Sequence, residues 1–511
     1  MSTRISRSYH VLSTAGPVLV FFICLFSSTT RAQIRSVEIR VLPDAEPRIS
    51  VAAECAPSAV WSFSDSYAGM VGLGSRAGNF KAFAANGSEV SVRQIAPGQF
   101  ESDTAAVRFS YQLNVTPPLN PLDAAKVSWV NAQGGLLMLR DVLPATYANR
   151  GALEKTGSRS QGVRVTFQLP QGWRTSANGA SKGTNAFEFA DTDTTVVAVG
   201  PNLRKLTRKI NDTSLVLVAS GQWSFTDNEA LDLAVKTYSA HRATIGASPS
   251  TTVMLTLFPF PRPTSPTMWT AETRGSTVVL LSGNLPSKVG ALAQLSTPLT
   301  HEIFHLWVPN GLALDGDYDW FYEGFTVYEA ARTAVRLGLL TFPEFLTAIG
   351  RAYDGYLATP DSHRRSLIEA SKRRWAAGPS AVYSQSMLVA FLYDLQVRER
   401  SRGKRSVEDI YPMLFQKYGA RTNANIPRQA VDGNEAVISM LEANSAQRDF
   451  VGKFITSAAK IDLKQELAPY GLQVETLGLR TRVSTAEELT KQQRDLLRQL
   501  GYNDVTRRRA N

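Results

Sequence analysis

The segment His301-Glu302-Ile303-Phe304-His305 constrains the fold and chemistry of this 511-residue chain more than any other. Two histidines four residues apart lie on one face of an α-helix, so both imidazoles can reach a single ion. Thr297 and Pro298 favour a helix that begins just before this segment, and Pro309-Asn310-Gly311 predicts its end. The sequence therefore predicts a helix that carries two metal ligands close to its middle.

A third ligand follows the histidines after a short polar loop. The segment WFYEGFTVYEA predicts a second helix that opens at Asp319 and carries Glu323 in its first turn. His301, His305 and Glu323 make a set of two histidines and one carboxylate, which leaves a fourth position open, as in catalytic zinc sites. Glu302 lies beside that open position, where a carboxylate can take a proton from water. We therefore predict one catalytic Zn²⁺ per chain; the alternative is a buried helix whose His and Glu side chains satisfy each other.

The composition is that of a globular protein, with 43% apolar and 19% charged residues. A chain of this length can form two or three domains with substantial cores. The formal net charge is +11, but the basic residues are spread out except for Arg507-Arg508-Arg509 at the end. Because no basic stripe with interleaved aromatic residues is present, we expect no binding to nucleic acid.

Residues 1–32 have the three parts of a secretory signal peptide. Arg4 and Arg7 form the basic region, Val11 to Phe26 the apolar region, and Thr30-Arg31-Ala32 the small-residue cleavage site. We therefore expect a secreted or periplasmic protein with no stable membrane span after cleavage. The apolar run is short and interrupted for a span, and an uncleaved anchor is the alternative. Cleavage leaves Cys55 as the single cysteine, which excludes an internal disulfide and favours a buried apolar role.

The remaining chain predicts an α+β fold in three parts. Residues 33–208 show alternating apolar and polar positions, for example from Val107 to Val115, which predict an antiparallel, sandwich-like β domain. Residues 209–420 begin with strands and continue with helices, so that the metal-binding helix lies where the two meet. Residues 421–511 predict a short and mainly helical C-terminal region.

Three separated stretches resemble the glycyl aminopeptidase family of zinc peptidases, which belongs with the thermolysin and aminopeptidase N group. The first is HEIFHLW with WFYEGFTVYE, in which 17 residues separate His305 from Glu323. The second is Glu272-Thr273-Arg274-Gly275-Ser276-Thr277, and the third is VYSQSMLVAFLYDLQVRERSRGKRSVEDI. The resemblance implies that residues 209–420 form a thermolysin-like catalytic domain that acts on peptide or protein substrates. The family commonly ends in a PDZ domain, but only about forty residues follow Gly471, too few for that module.

The resemblance also implies two further site residues. Glu272 takes the place of a carboxylate that anchors the α-ammonium group of the substrate by a charge-assisted hydrogen bond. Tyr383 takes the place of a tyrosine whose phenol donates a hydrogen bond to the developing oxyanion. Without the resemblance, we would interpret Glu272 as an exposed residue at the edge of a strand. Tyr383 would be an aromatic residue of the core or of the surface. Trp269-Thr270-Ala271 departs from the family's Gly-Gly-Leu, which would let the backbone approach the substrate closely.

The sequence thus predicts a zinc aminopeptidase that removes N-terminal residues by attack of water with Glu302 as the proton acceptor. Two alternatives remain open at this stage. One is a zinc endopeptidase on the same scaffold, in which Glu272 has no role. The other is a binding protein that keeps the fold with weakened catalysis. The oligomeric state is not predicted.

Overall fold

The computed structural model describes residues 33–152, 162–360, 364–377, 381–419, 431–445 and 447–503. The predicted signal peptide lies outside the described residues. In the described part of the chain, no helix is both long and apolar enough to cross a membrane. The predicted α+β class is confirmed, with sheets in the first half and helices in the second.

The first part of the chain forms two stacked sheets. The larger sheet has the order β14-β15-β12-β1-β2-β8-β5-β6, with β11 on β2 and β7 on β8, and the smaller sheet has the order β13-β16-β10-β9. One apolar core lies between them and includes Cys55, so the predicted sandwich-like arrangement is confirmed. The strands, with the short helix α1, are β1 Ile34–Leu42, β2 Arg48–Ser62, β3 Ser66–Tyr67, β4 Met70–Val71, β5 Ala77–Phe83, β6 Glu89–Val90, β7 Val92–Ala96, β8 Gln99–Asn114, β9 Trp129–Asn131, β10 Gly134–Met138, α1 Leu139–Val142, β11 Ala145–Tyr147, β12 Val163–Gln168, β13 Arg174–Ala177, β14 Ala180–Gly183, β15 Ala186–Phe189 and β16 Val196–Gly200.

The pairing within the larger sheet is antiparallel with one exception. Strands β1 and β12 run parallel, with Val37 opposite Val165 and Ile39 opposite Phe167. These partners are far apart in the sequence, and the alternation of apolar residues gives the face of a strand but not the direction of its neighbour. The purely antiparallel expectation is therefore corrected for this pair.

A third sheet begins the second part of the chain. It has the order β17-β18-β19-β21-β20, in which β18, β19 and β21 run parallel and the edge strands β17 and β20 run antiparallel. Helices α2 and α3 pack on one face of this sheet, and the smaller sheet of the first part packs on its other face. The predicted domain boundary at residue 208 falls inside β17, which pairs with β18. The elements are β17 Arg204–Ile210, β18 Thr213–Ala219, α2 Asp227–Ile245, β19 Thr252–Pro259, β20 Trp269–Arg274, β21 Thr277–Ser282 and α3 Lys288–His305.

Helices dominate the rest of the chain, together with two small two-stranded sheets. Two helices are entered through π-helical turns, Trp320–Phe325 before α4 and Ala381–Gln385 before α8. The C-terminal region also contains the hairpin β24–β25, which packs on α5. The elements are β22 Leu314–Asp315, α4 Thr326–Arg336, α5 Phe342–Ala358, α6 Leu367–Lys372, α7 Arg374–Ala377, α8 Ser386–Ser401, α9 Ile410–Tyr418, β23 Val431–Asp432, α10 Gly433–Ser445, α11 Arg448–Val451, α12 Leu463–Leu467, β24 Leu472–Leu477, β25 Arg480–Thr485 and α13 Lys491–Gln499.

The helix with the two candidate ligand histidines is longer than the sequence predicts. Helix α3 begins at Lys288, where the Ser287 side chain accepts a hydrogen bond from the Gly290 N–H, and Pro298 lies in its interior. Pro298 has no N–H to donate to the preceding turn. Leu295, Leu299 and Ile303, however, are buried in the core on one face of the helix, and this burial keeps the segment helical through the proline. The predicted start at Thr297 is therefore wrong, and His301 and His305 lie in the last two turns.

Candidate active site

Helix α3 brings three of the predicted site residues to one place. His301 and His305 are one turn apart, and their ring centroids are 4.5 Å apart. Glu302, between them, is buried, as is His305. The helix ends at His305, and the chain then turns so that the Val308 carbonyl lies 2.8 Å from His305 Nδ1. With Nδ1 donating to this carbonyl, Nε2 is the nitrogen that faces the other site residues and is free to bind a metal.

Three ligand atoms from two helical segments form a compact triangle. His301 Nε2 and His305 Nε2 are 2.9 Å apart, and Glu323 Oε2 lies 3.3 Å from the first and 3.4 Å from the second. Two ligand atoms that bind one zinc ion tetrahedrally at about 2.0 Å are separated by about 3.3 Å. The predicted His301, His305 and Glu323 set therefore has the dimensions of a single metal site.

The unsatisfied atoms of the cluster also fit a metal. Glu323 is buried, and its Oε2 has no hydrogen-bond partner in the described part of the chain. A buried carboxylate oxygen without a partner is costly unless a cation occupies the position it faces. The other oxygen, Oε1, accepts a hydrogen bond from Arg374 Nη2 at 2.9 Å. One oxygen of Glu323 is thus held by the protein, and the other faces the two imidazoles.

The charges of the cluster favour a positive ion at its centre. Burial opposes ionisation of Glu323, but His305, His301 and Arg374 together hold the pKa of this carboxyl well below its usual range. Burial also disfavours protonation of His305, yet the carboxylates of Glu323 and Glu302 raise the pKa of this imidazole to about 9. The two shifts are reciprocal: the Glu323 carboxylate stabilises the charged form of His305, and the imidazoles with Arg374 stabilise the charged form of Glu323.

Glu302 belongs to the same cluster but is held differently. Its carboxylate lies with the two imidazoles in a group whose ligand atoms are all within 4.8 Å of one another. Its Oε2, however, accepts a hydrogen bond from Thr273 Oγ1 at 2.7 Å, and the same hydroxyl contacts the Glu302 carbonyl. Burial raises the pKa of Glu302, against the influence of the imidazoles. We therefore take Glu323 as the third ligand and Glu302 as a carboxylate beside the site.

Glu272 lies on the edge strand β20, which packs beside α3. Its Oε1 accepts a hydrogen bond of 2.7 Å from the hydroxyl of Tyr67. Tyr67 comes from the β3–β4 hairpin of the first domain, and its ring packs between the guanidinium groups of Arg274, at 3.9 Å, and Arg140, at 5.5 Å. Burial and the Glu272 carboxylate raise the pKa of Tyr67, so the phenol stays protonated and donates. The sequence gives no sign of Tyr67, because its partner is 205 residues away.

Tyr383 lies in the π-helical turn before α8. Its ring centroid is 6.4 Å from that of His301, and its hydroxyl oxygen accepts a hydrogen bond of 2.6 Å from Arg374 Nη2. Burial and the nearby Glu323 carboxylate raise the pKa of Tyr383 well above its usual value. The phenol therefore remains a hydrogen-bond donor at neutral pH.

All six predicted site residues line one cleft of about 1110 Å³. The side of the cleft near Glu272 is formed by side chains of the first domain and β20, including the partly exposed Trp269. The other side extends between α4 and α5 over an alanine-rich surface. Tyr67 and Arg374 were not identified from the sequence; Arg374 is the first residue of the short helix α7, in a segment with no recognisable pattern. Further lining side chains include Leu122, Lys126, Val327, Ala330, Ala331, Ala334, Ala348, Ala352 and Trp375.

The HExxH helix, the downstream glutamate and the cleft together have the features of a metallopeptidase. Comparison with known proteins agrees: the model of the M61 glycyl aminopeptidase family matches residues 313–390, which include Glu323 and Tyr383. The resemblance to the glycyl aminopeptidases is thus confirmed, and the chain is a peptidase. No curated protein sequence matches the chain.

Solved structures establish the similarity of the fold over most of the chain. An aminopeptidase N family protein from Idiomarina loihiensis has a TM-score of 0.72 at 15% identity, covering 86% of this chain and 79% of that chain. An M1 zinc metallopeptidase from Deinococcus radiodurans, in a mutant form bound to a Tyr-Ser-Ala substrate, has a TM-score of 0.53 at 13% identity. That match covers 85% of this chain and 96% of the other.

Proposed function

We propose that this peptidase is a zinc aminopeptidase, which removes N-terminal residues from peptides. The observation that carries the proposal is the triangle of His301 Nε2, His305 Nε2 and Glu323 Oε2, with sides of 2.9, 3.3 and 3.4 Å. The donor set suits zinc, which prefers imidazole nitrogen with a carboxylate oxygen in catalytic sites. When bound, zinc supplies Lewis-acid activation of a water molecule and of the peptide carbonyl.

Glu302 acts as the proton carrier in the proposed reaction. It accepts a proton as water attacks the carbonyl carbon and then delivers this proton to the leaving amine. Burial raises the pKa of its carboxyl, which brings the acid form closer to the pH of the reaction. The hydrogen bond from Thr273 fixes the orientation of the carboxylate throughout.

Tyr383 stabilises the negative charge that develops on the carbonyl oxygen. A protonated phenol at the wall of the cleft can donate a hydrogen bond to this oxygen, and such donors contribute most in a site that is closed to water. The raised pKa of Tyr383 keeps the donor proton in place. We propose this role from the position of the phenol beside His301 and from the family resemblance.

Glu272 makes the enzyme an aminopeptidase rather than an endopeptidase. Its carboxylate, on the cleft side of β20, accepts hydrogen bonds from the free α-ammonium group of the substrate. Tyr67 occupies Oε1 and leaves Oε2 for this contact. The Deinococcus radiodurans neighbour was solved with Tyr-Ser-Ala, and a tripeptide of this kind is a suitable first substrate.

The test uses purified protein, its metal content and a pair of peptides. We expect about one zinc per chain by elemental analysis and cleavage of Tyr-Ser-Ala, with little cleavage of its N-acetylated form. Equal cleavage of both forms would favour an endopeptidase on the same scaffold. Glu302→Gln should keep the zinc and lose the cleavage; activity that survives this substitution would refute the mechanism. If the protein cleaves neither form of the peptide, the result would favour the binding-protein alternative.

We further propose that the enzyme acts outside the cytoplasm, as a secreted or periplasmic protein. The support is the three-part pattern of residues 1–32. Expression of the full-length chain, followed by fractionation and N-terminal sequencing, tests the proposal. A mature N-terminus at Gln33 is expected, whereas full-length protein in the cytoplasm would contradict it.

A further inference from the structure

Arg374 links the metal ligand Glu323 to Tyr383. Its side chain is 9% exposed, and both terminal nitrogens are engaged. Nη2 donates to Glu323 Oε1 at 2.9 Å and to the Tyr383 hydroxyl at 2.6 Å, whereas Nη1 donates to Asp319 Oδ1 at 2.6 Å. One planar group therefore contacts residues of both π-helical segments that border the site.

The contact with Glu323 determines which of its oxygens faces the imidazoles. The ion pair occupies Oε1, so that Oε2 alone is directed at His301 Nε2 and His305 Nε2. A guanidinium presents its donors in a fixed plane and holds a carboxylate in orientation as well as in position. Residues that hydrogen-bond to a metal ligand in this way set the geometry and strength of metal binding.

The contact with Tyr383 determines how its proton can be used. The phenol oxygen accepts a hydrogen bond from Arg374 Nη2 and carries a single proton of its own. In the free protein this proton interacts with the Glu323 carboxylate. Because the oxygen already accepts a hydrogen bond from Arg374, the proton is the part of the hydroxyl that an acceptor in the cleft can engage. The positive charge beside the oxygen also strengthens the phenol as a donor.

Packing from two directions holds Arg374 in this position. Asp319 Oδ1 accepts hydrogen bonds from both Arg374 and the Tyr322 hydroxyl. On the other side the guanidinium carbon lies 4.4 Å from the centre of the Trp375 ring. Trp375 in turn packs directly against the hairpin of the first domain, since a Cβ at Gly69 would lie 2.8 Å from its ring.

We infer that Arg374 is a positioning residue for the peptidase reaction, which aligns the ligand oxygen of Glu323 and the donor proton of Tyr383 at the same time. The inference rests on the proposed function for its kinetic part. Its metal-binding part stands on the geometry of Glu323 alone. The competing interpretation is a structural ion pair that affects only the stability of the fold.

The test compares Arg374→Lys with Arg398→Lys, a matched control. Arg398 is equally buried, with 8% of its side chain exposed, and its Nε lies 2.9 Å from Asp394 Oδ2. This ion pair does not line the cleft. A lysine has a single terminal nitrogen and therefore cannot make the contacts of both terminal nitrogens of Arg374. We expect Arg374→Lys to weaken zinc binding, measured by chelator competition, and to lower kcat at saturating zinc, each by about 10- to 100-fold, with KM changed much less. Arg398→Lys should lower the melting temperature and leave both quantities per folded molecule unchanged.

A cobalt-substituted sample provides a readout that does not depend on catalysis. The visible absorption bands of Co²⁺ respond to the ligand geometry, so Arg374→Lys should shift them and Arg398→Lys should not. If the two variants give the same spectrum and the same zinc affinity, Arg374 has only a structural role. If the wild-type protein binds zinc but cleaves no peptide, the proposed function fails while this comparison still tests the metal-binding part.

Double substitution with Tyr383→Phe tests the second contact. If Arg374 acts on kcat through the phenol, Arg374→Lys should change kcat by less than about 3-fold in the Tyr383→Phe background, a non-additivity of the kind found for residues in contact. Independent, multiplicative effects would overturn this part of the inference. Should Arg374→Lys fail to fold, Asp319→Asn loosens the same guanidinium and must show the same pattern at a smaller size.

Discussion

Glu272→Gln tests the part of the proposed mechanism that decides which peptides the enzyme accepts. The substitution removes the negative charge but keeps an oxygen that can accept the hydrogen bond from Tyr67. This bond is 2.7 Å long in the wild-type protein. The contact between the β3–β4 hairpin and β20 therefore persists. What is lost is the attraction between the carboxylate and the α-ammonium group of the substrate.

The size of the effect follows from the position of Glu272. A hydrogen bond to a charged group contributes about 1.5–3 kcal/mol. Glu272 is half-buried at the wall of an open cleft, so solvent screens the pair and the lower part of this range, about 1.5–2 kcal/mol, applies. Since 1.4 kcal/mol corresponds to a factor of ten, kcat/KM for a free-amine peptide should fall by about 10- to 30-fold.

The assay measures kcat/KM for Tyr-Ser-Ala and for its N-acetylated form with wild-type and variant enzyme. The preference for the free amine should shrink by the same 10- to 30-fold, because the acetylated peptide has no ammonium group to lose. Glu344→Gln is the control for a general loss of negative charge: Glu344 also lines the cleft but is engaged with Thr341 at the start of α5. An unchanged preference in Glu272→Gln, or an equal change in Glu344→Gln, would refute the anchoring role.

Three further predictions concern Trp269, His241 and the metal. Trp269→Ala should lower kcat/KM for peptides with an aromatic first residue relative to glycine by about tenfold, since it removes apolar contact surface beside Glu272; equal losses for both substrates would contradict this. His241 is buried, and its Nε2 contacts the Thr300 carbonyl. Burial lowers the pKa of this imidazole to about 3, so as the pH falls His241 is protonated in the unfolded chain before it is protonated in the folded protein. The free energy of unfolding should therefore fall as pH decreases from about 6.5 to about 3, and His241→Gln should flatten this dependence in urea titrations. Removal of the metal by a chelator should lower the melting temperature and added zinc should restore it; an unchanged melting temperature would argue against a site built from Glu323.

The geometry of the candidate metal site was predictable because it depends on local spacing. Two histidines at positions i and i+4 must share a helix face, and this holds although α3 begins nine residues earlier than Thr297 predicts. Glu323 follows at the distance typical of the group and lies in a short helical segment, as expected. Strands β19 and β21 were also predictable, since short and mainly apolar runs between turn signals define them.

The supporting residues could not be predicted, because their roles arise from contacts between distant segments. Tyr67 precedes Glu272 by 205 positions, and its hairpin consists of two short strands without apolar alternation. Arg374 follows Glu323 by 51 positions in a segment rich in basic residues, which by itself indicates a solvated surface. Asp319 was identified as a helix start, yet its side chain makes no capping hydrogen bond and instead binds Arg374 and Tyr322.

The first domain is part of the active site as well as a neighbour of it. Its smaller sheet covers an apolar face of the catalytic sheet that includes Met254, Phe258 and Val279, so the catalytic part alone would expose this face to water. Its hairpin supplies Tyr67 to the candidate ammonium anchor and supports Trp375, which stacks on Arg374. Both flanks of the cleft therefore depend on the same hairpin. A peptidase built in this way requires the packed sheets of the first domain to keep the proposed substrate anchor and the proposed oxyanion donor aligned with the candidate metal ligands.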